Sequence, residues 1–457
     1  MNKETETVII GAGLTGLVIA YYLAKAGKDF IILEKENRQG GVIKSSRKNG
    51  FLYEHGPNTG VLGTNEAMEL FEDLTGDCTL EIADNVAKTR YVLKNNKWQP
   101  LPSGLMSAIK TPLFSTHDKL RLLVEPFRKK GNNPNESLAE LVKRRMGKSF
   151  LDYAVDPFVL GIYAGDPNYL VPKYALPKLY NLEQEFGSFI GGSIKRKRNK
   201  ELQKQIRYTR EVFSVEGGLQ KLIDALSKNI GEEKLCLKAQ DIHITPCNGN
   251  FHIISKSDEK PYEIASKYVI PTSVASSLPG LLPFLSEEQK TSIEALPYAK
   301  VVEVNIGFHS WNGFPPVGFG GLIPFCENKD MLGVLFMSTL FKKRAPKGAV
   351  LFTVFMGGFR KPHIYDLSEE EIIQILDREF TKIMGINGFH PDLLEIHRYD
   401  KAIPQYGADM EGRLEHITKI EKTYPGLFIG GNVKNGIGMA DRIKQGKWLA
   451  QRIIDNS

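Results

Sequence analysis

The chain has 457 residues, three times the roughly 150-residue prior for one domain, so two or three domains with a large core are expected. Hydrophobic residues at 42% and charged residues at 25% describe a soluble globular enzyme and exclude disordered, collagen-like and coiled-coil architectures. The net charge of +7 is unevenly held: residues 85–211 carry 24 Lys and Arg against 11 Asp and Glu, which leaves the remainder net acidic.

In chain order, Thr7-Val8-Ile9-Ile10 predicts a short buried strand, followed by a glycine turn and a helix from Leu17 to Lys25. Phe30-Ile31-Ile32-Leu33 predicts a second buried strand, and together these make a βαβ unit with parallel strands. A long middle section of mixed helical patterns follows, punctuated by prolines between 157 and 177. Gly217-Gly218 precedes a helix from Leu219 to Lys228, after which strand-like segments alternate at 235–237, 242–245, 251–255 and 268–271. Strands of a larger sheet are predicted at 301–308 and 350–356, and an amphipathic helix from Glu369 to Met384. The chain closes with a predicted strand at 427–429 and a helix from about Gly438 to Ile454.

The N-terminal residues lack the apolar core and cleavage site of a signal peptide. No apolar run reaches the ~18 residues of a spanning helix, and the longest, 268–285, is broken by Pro271, Pro279 and Pro283. Peripheral membrane attachment stays open. Cys78, Cys236, Cys247 and Cys326 are scattered and form no Cys-x-x-Cys pair, which favours a reduced cytosolic compartment. The basic run Lys195-Arg196-Lys197-Arg198, continued by Lys200, Lys204, Arg207 and Arg210, is either a solvated helical face or a surface drawn to anionic partners. No nucleic-acid motif accompanies it. The nine histidines show no His-x-x-x-His spacing, so no metal site is expected.

Gly11-Ala12-Gly13-Leu14-Thr15-Gly16 lies between the first strand and its helix. In such a motif the first glycine permits the tight turn, the second admits a pyrophosphate to the backbone, and the third lets helix and strand pack closely. The helix N-terminus adds free N–H groups and a positive dipole end. Glu34, 23 residues after Gly11, ends the second strand, where a carboxylate accepts ribose hydroxyls. Lys35, Arg38, Gly40 and Gly41 follow, then the Gly56-Pro57-Asn58 loop, all read as cofactor-side residues. At the other end, Gly431-Asn432 ends a strand and Gly438-Met439 opens the last helix, whose dipole suits the negative end of a reduced flavin. Glycine motifs at both chain ends argue for one cofactor held between them.

Further stretches carry a resemblance: Tyr53-Glu54-His55-Gly56-Pro57-Asn58, Arg90-Tyr91-Val92 with Leu101-Pro102-Ser103-Gly104, and Asp156-Pro157-Phe158-Val159-Leu160-Gly161-Ile162-Tyr163-Ala164-Gly165-Asp166-Pro167. Asn181-Leu182-Glu183, Gly318-Phe319-Gly320-Gly321-Leu322-Ile323-Pro324, Gly333-Val334-Leu335-Phe336, Arg344-Ala345-Pro346 and Phe355-Met356-Gly357-Gly358 extend it over essentially the whole chain. The sequence resembles the FAD proteins of the amine oxidase, phytoene desaturase and protoporphyrinogen oxidase superfamily, and most closely the oxygen-dependent protoporphyrinogen oxidases. The resemblance implies non-covalent FAD, since the C-terminal segment holds no cysteine. It implies a propionate anchor at Arg90, ring-sandwiching apolar groups at Leu322, Leu335 and Phe355, a backbone facing the macrocycle at Gly161, and a flavin-side polar group at Asn58. Adenine would meet Ile242 or its neighbour Asp241. The lysine that amine oxidases keep near the flavin is replaced here by Glu303.

The expectation is an α/β protein: a discontinuous Rossmann-like FAD-binding domain (1–84, 212–275, 405–457), a mostly helical basic membrane-associating domain (85–211) and a mixed-sheet substrate domain (276–404). The implied reaction oxidises protoporphyrinogen IX to protoporphyrin IX in heme biosynthesis, in three two-electron rounds. In each round a hydride passes to the flavin and dioxygen takes the electrons as hydrogen peroxide. The alternatives are coproporphyrinogen III oxidation and a non-catalytic porphyrin- or flavin-binding carrier. The implied location is the inner face of the cell membrane, on its cytoplasmic side. The enzyme that receives the porphyrin and a second copy of the chain are left open as partners.

Overall fold

The computed structural model describes residues 2–102, 105–199, 205–257 and 260–456; Ser103, Gly104, Lys200 and Lys204 lie outside them. A six-stranded sheet forms one half of the molecule, in the order Leu235–Cys236, Phe30–Leu33, Asn2–Ile10, Lys260–Pro271, Asn250–Ser257, Gln240–Cys247. Its centre is parallel, Val8 pairing with Ile31 on one side and Val269 on the other, as a βαβ crossover requires. The central strands are buried on both faces, which explains their unbroken apolar runs. Helix Leu14–Lys25 packs beside helices Gln220–Ile230 and Met439–Asn456 over one face. Gly446 allows that closeness, because a Cβ there would lie 2.8 Å from Val18.

A seven-stranded sheet forms the other half, in the order Leu393–Pro404, Tyr298–Phe308, Val350–Gly357, Met331–Leu335, Gly320–Leu322, Arg90–Lys94, Lys97–Pro100. One face packs on helix Glu369–Met384 through Val302, Val304, Val354 and Phe380. Ser368 and Glu371 close that helix's N-terminus as a capping box.

Two sequence expectations shift. The sequence reading places the hairpin Arg90–Pro100 in the mostly helical segment, but it forms the edge of the seven-stranded sheet, its strand Arg90–Lys94 pairing in parallel with Gly320–Leu322. A short hairpin between helical stretches has too weak a pattern to reveal that partner. Residues 427–429 make no ladder strand: Leu427 contributes one isolated parallel bridge to Val269, although Phe428 N–H still donates to the Val269 carbonyl.

The remainder of the segment is helical, from Leu105–Lys110 to Phe189–Arg198. Part of its positive charge is internal. Arg145 is fully buried against Glu125 and Glu183, each at 2.6 Å, and Arg144 pairs with Glu136 and Glu183. The basic run 195–198 forms the last turn of helix Phe189–Arg198, where cations oppose the negative dipole end. Helix Thr116–Leu123 and the turn after it leave an apolar stripe in water at i, i+3 and i+7: Leu120 is 60% exposed, Leu123 67% and Phe127 87%. No helix among the described residues is long and apolar enough to cross a membrane.

Candidate active site

The first glycine turn is built for a ligand to approach its backbone. Gly11 has a φ of +102°, and Gly16 tolerates no side chain, since a Cβ there would lie 2.0 Å from the Gly11 carbonyl oxygen. A Cβ on Gly13, by contrast, would meet nothing within 4 Å. Gly13 is the N-cap of helix Leu14–Lys25 and offers no capping side chain, so the first-turn N–H groups stay available. The buried Glu34 carboxylate accepts the Ala12 N–H at 2.6 Å and the Glu36 N–H at 3.0 Å. Each of its oxygens keeps a lone pair for a further donor.

The second glycine pair lies against the first: the Gly40 N–H donates to the Ala12 carbonyl at 2.8 Å, and a Cβ on Gly41 would come 3.3 Å from Gly13 Cα. Arg38 folds back over this loop and donates to the carbonyls of Gln39, Gly41 and Ile43. Lys35 stays exposed beside Glu36. Behind Glu34, the Ala239 N–H donates to the Glu34 carbonyl, which brings the start of strand Gln240–Cys247 to this end of the cradle; Ile242 is half-buried and Asp241 is exposed and paired with Lys256.

The two ends of the chain meet here. Thr272 Oγ1 would lie 2.8 Å from a Cβ on Gly11, and the Thr272 carbonyl oxygen 2.8 Å from one on Gly431. Arg442 and Gln445, on the last helix, clamp the loop between: Arg442 donates to the carbonyls of Gly431, Lys434 and Asn435, and Gln445 Oε1 accepts the Gly431 N–H at 2.8 Å. Asn432 is held by the Tyr298 hydroxyl on its side chain and the Tyr406 hydroxyl on its carbonyl. The Gly438 N–H donates to Asp441, and Met439 is buried beside Gly60. Sequence reasoning did not single out Arg442, Gln445, Tyr298 or Tyr406: the first two clamp the loop just before their own helix, the tyrosines reach Asn432 from 134 and 26 positions away, and no local motif marks any of them.

On the seven-stranded sheet the register gathers residues from six strands onto the face opposite helix Glu369–Met384. One row runs Arg90, Gly320, Leu335, Thr353, Asn305, Glu395; the next runs Val92, Leu322, Gly333, Phe355, Glu303, His397. Arg90, Leu322, Leu335 and Phe355 thus share one face. Arg90 lies over the Phe319 ring at 5.0 Å, and among the described residues no carboxylate pairs with it. Loss of solvent around its head group draws its pKa below the ordinary arginine value, although the residue as a whole is exposed.

Helix Asp156–Tyr163 crosses this face. A π-helical turn, Leu151–Val155, leads into it, and Ala164 ends it in the left-handed conformation. A Cβ on Gly161 would come 2.6 Å from Leu322 Cδ2. Phe158, Gly161 and Ile162 are exposed on the helix and form an uncovered apolar edge beside the sheet.

A buried polar web joins the two halves. Asn58 Nδ2 donates to Glu303 Oε1 at 2.8 Å, and the Gly56 N–H to Glu303 Oε2 at 2.8 Å. Thr353 Oγ1 lies 2.8 Å from the side-chain oxygens of both Asn58 and Asn305, and Asn305 Nδ2 donates to the Glu54 carbonyl. Glu54 pairs with Arg344 at 2.6 Å, and Arg344 also donates to Ser214; Glu54 and Arg344 are fully buried. Glu303 is the buried member without a cation, and burial pushes its carboxyl up to about 8. No cluster that could hold a metal ion occurs among the described residues.

A glycine cradle of this form on a parallel sheet belongs to dinucleotide-binding proteins. The sequence profile of the flavin-containing amine oxidoreductases matches residues 14–454, and the chain belongs to that family. It is an oxidoreductase, and its cofactor is FAD. The chain is similar to the mitochondrial protoporphyrinogen oxidase of Nicotiana tabacum, with 30% identity covering 99% of this chain and 95% of the relative. It is also similar to the coproporphyrinogen III oxidase of Bacillus subtilis, with 27% identity covering 98% and 97%. Among solved structures, a protein of Exiguobacterium sp. 255-15 superposes with a TM-score of 0.82 at 23% identity, covering 100% and 99%, and a reduced UDP-galactopyranose mutase with 0.73 at 17%, covering 99% and 96%. The last two comparisons concern the fold.

Proposed function

We propose that the chain oxidises a porphyrinogen to a porphyrin: protoporphyrinogen IX, in three two-electron rounds, with dioxygen reduced to hydrogen peroxide. The observation that carries this reading is Arg90. It is a cation with no carboxylate partner among the described residues, and it shares a face with Leu322, Leu335 and Phe355. A large apolar tetrapyrrole with propionates on one edge matches such a face: the guanidinium fork takes a propionate and the half-buried apolar side chains take the rings. Arg90 is also the only lysine or arginine in the two rows, which favours a substrate with two propionates over one with four.

Gly11, Ala12, Gly13, Leu14, Thr15 and Gly16 would hold the FAD pyrophosphate, and Glu34 the ribose. Ile242 would lie at the adenine. Lys35, Arg38, Gly40, Gly41, Gly56 and Pro57 would line the cofactor, with Gly431, Asn432, Gly438 and Met439 toward the ring system. Bound non-covalently, FAD would supply the two-electron acceptor, with dioxygen as the proposed final oxidant. The chain's own part is to orient and to exclude water: the Gly161 backbone would face the macrocycle, and Asn58 would lie on the flavin side of the site. The helical segment would rest on the anionic inner face of the cell membrane, with the Leu120, Leu123 and Phe127 stripe entering the interface and the basic residues on the headgroups.

Purified protein offered protoporphyrinogen IX and coproporphyrinogen III, with porphyrin fluorescence and peroxide followed together, tests the reading. Faster oxidation of the first, with about three peroxides per porphyrin as three two-electron rounds require, is expected. Preference for the second overturns the substrate assignment, and no turnover with either points to the carrier.

A further inference from the structure

The Asn58 side chain is buried and its amide is engaged at both ends. Nδ2 donates to Glu303 Oε1 at 2.8 Å and to the Gly56 carbonyl at 3.2 Å, and Oδ1 takes the Thr353 hydroxyl at 2.8 Å. Glu303 Oε2 meanwhile accepts the Gly56 N–H at 2.8 Å. One carboxyl therefore receives a backbone donor and a side-chain donor from the same short loop. That loop continues the cofactor cradle: a Cβ on Gly56 would come 2.8 Å from the Val42 carbonyl, next to Gly41, which abuts Gly13. Remove the carboxyl and the loop keeps one tie to the sheet, from Asn58 Oδ1 to Thr353, while Nδ2 retains only the Gly56 carbonyl of its own loop and the Gly56 N–H loses its acceptor.

We propose that Glu303 is a positioning residue of the redox site: its two hydrogen bonds hold the Gly56–Asn58 loop on the substrate sheet and fix the direction in which the Asn58 amide points. This rests on reading that loop as the flavin side of the site.

The surroundings of Glu303 support the assignment. Its own strand presents Asn305, and strand Val350–Gly357 presents Thr353 and Phe355. Strand Leu393–Pro404 presents His397 and Tyr399, and strand Phe51–His55 brings Glu54 and His55. Burial lowers the pKa values of both histidines; Lys44 adds to the shift of each and Arg38 to that of His55, while Glu395 opposes it at His397. Arg344 is committed to Glu54, and among the described residues no cation pairs with Glu303. Burial raises the carboxyl to about 8, the Glu54 charge adds to the shift, and the hydrogen bonds from Asn58, Gly56 and Asn305 oppose it without prevailing. The folded value lies above the ordinary 4.5, so the neutral form is favoured in the fold. Its stabilising contribution is complete below 4.5 and is lost as pH rises through about 8, when an unpaired charge forms beneath the loop.

The test uses the FAD-loaded enzyme and the variants Glu303→Gln, Glu303→Leu, Asn58→Ala and the Asn58→Ala double variants. The visible spectrum of bound FAD is titrated without substrate. The wild type is expected to show an inflection near 8 that is absent from Glu303→Gln and Asn58→Ala. In turnover, Glu303→Gln keeps one of the two acceptors and should lower kcat about 3- to 10-fold, Glu303→Leu about 10- to 100-fold, each with KM and FAD content within about twofold of wild type. In the Asn58→Ala background the same replacements should cost less than about twofold, because the residue acts through Asn58. Additive losses, a loss that tracks FAD content, or an inflection that persists in Glu303→Gln would overturn the proposal. Should Glu303→Leu fail to fold, the Gln variant and the spectra decide. A wild type that oxidises neither porphyrinogen contradicts the proposed function instead, while the spectral titration still judges the role of Glu303.

Discussion

In the cofactor cradle, Gly11, Gly13, Gly16, Gly40 and Gly41 bring bare backbone together within a stretch of about thirty residues. On the proposed substrate face, Arg90, Leu322, Leu335, Thr353, Phe355 and Glu303 come from five strands spread over more than half the chain. The cradle depends on space where side chains would be, and the substrate face on which side chains a register places side by side. A change in the cradle should therefore act through steric exclusion and cofactor loss. A change on the face should act on substrate and leave FAD in place.

Gly16→Val probes the extreme of the first kind. Its Cβ would overlap the Gly11 carbonyl at 2.0 Å, and backbone cannot yield as a flexible side chain can. The variant is expected to be recovered without FAD, or insoluble, as judged by the flavin-to-protein absorbance ratio. Arg344→Met tests the seam between the regions. It leaves Glu54 charged, fully buried and without its cation, and should destabilise the fold by about 3–5 kcal/mol in denaturant titration. An Arg344→Met loss confined to turnover would instead place Arg344 on the substrate side. Glu34→Ala is milder: the carboxylate caps the Ala12 and Glu36 N–H groups, and its removal should weaken FAD binding by about 1–3 kcal/mol, measured by equilibrium release, with kcat of the loaded enzyme unchanged.

The same contrast governs what the sequence reveals. Gly11 to Gly16, the βαβ unit and Glu34 form one local pattern, so their arrangement was readable. So was helix Glu369–Met384, whose boundaries the structure reproduces with its capping serine. The pairing of Glu303 with Asn58 spans 245 positions and exists only because strand Tyr298–Phe308 lies beneath the Gly56–Asn58 loop. Glu303 was noticed as a departure from a lysine, but nothing local marks it as the acceptor for that loop. Arg90 was singled out through resemblance alone; its place in the sheet follows from a hairpin whose parallel partner lies more than 220 residues away. Arg344-Ala345-Pro346 was legible as a family stretch, while its role, an ion pair with Glu54 at the seam, needed the fold.

The most direct test of the account is made at Arg90, with free-acid and propionate-esterified porphyrinogen offered to wild type and to Arg90→Ala. Loss of one charge-assisted bidentate pair should lower kcat/KM for the free acid about 10- to 150-fold, with FAD content unchanged and Arg90→Lys recovering only part. The ester should be a poor substrate for the wild type and lose little more in the variant. Equal losses for ester and free acid, or a loss of FAD with the arginine, would contradict the assignment of this face to a carboxylate-bearing tetrapyrrole.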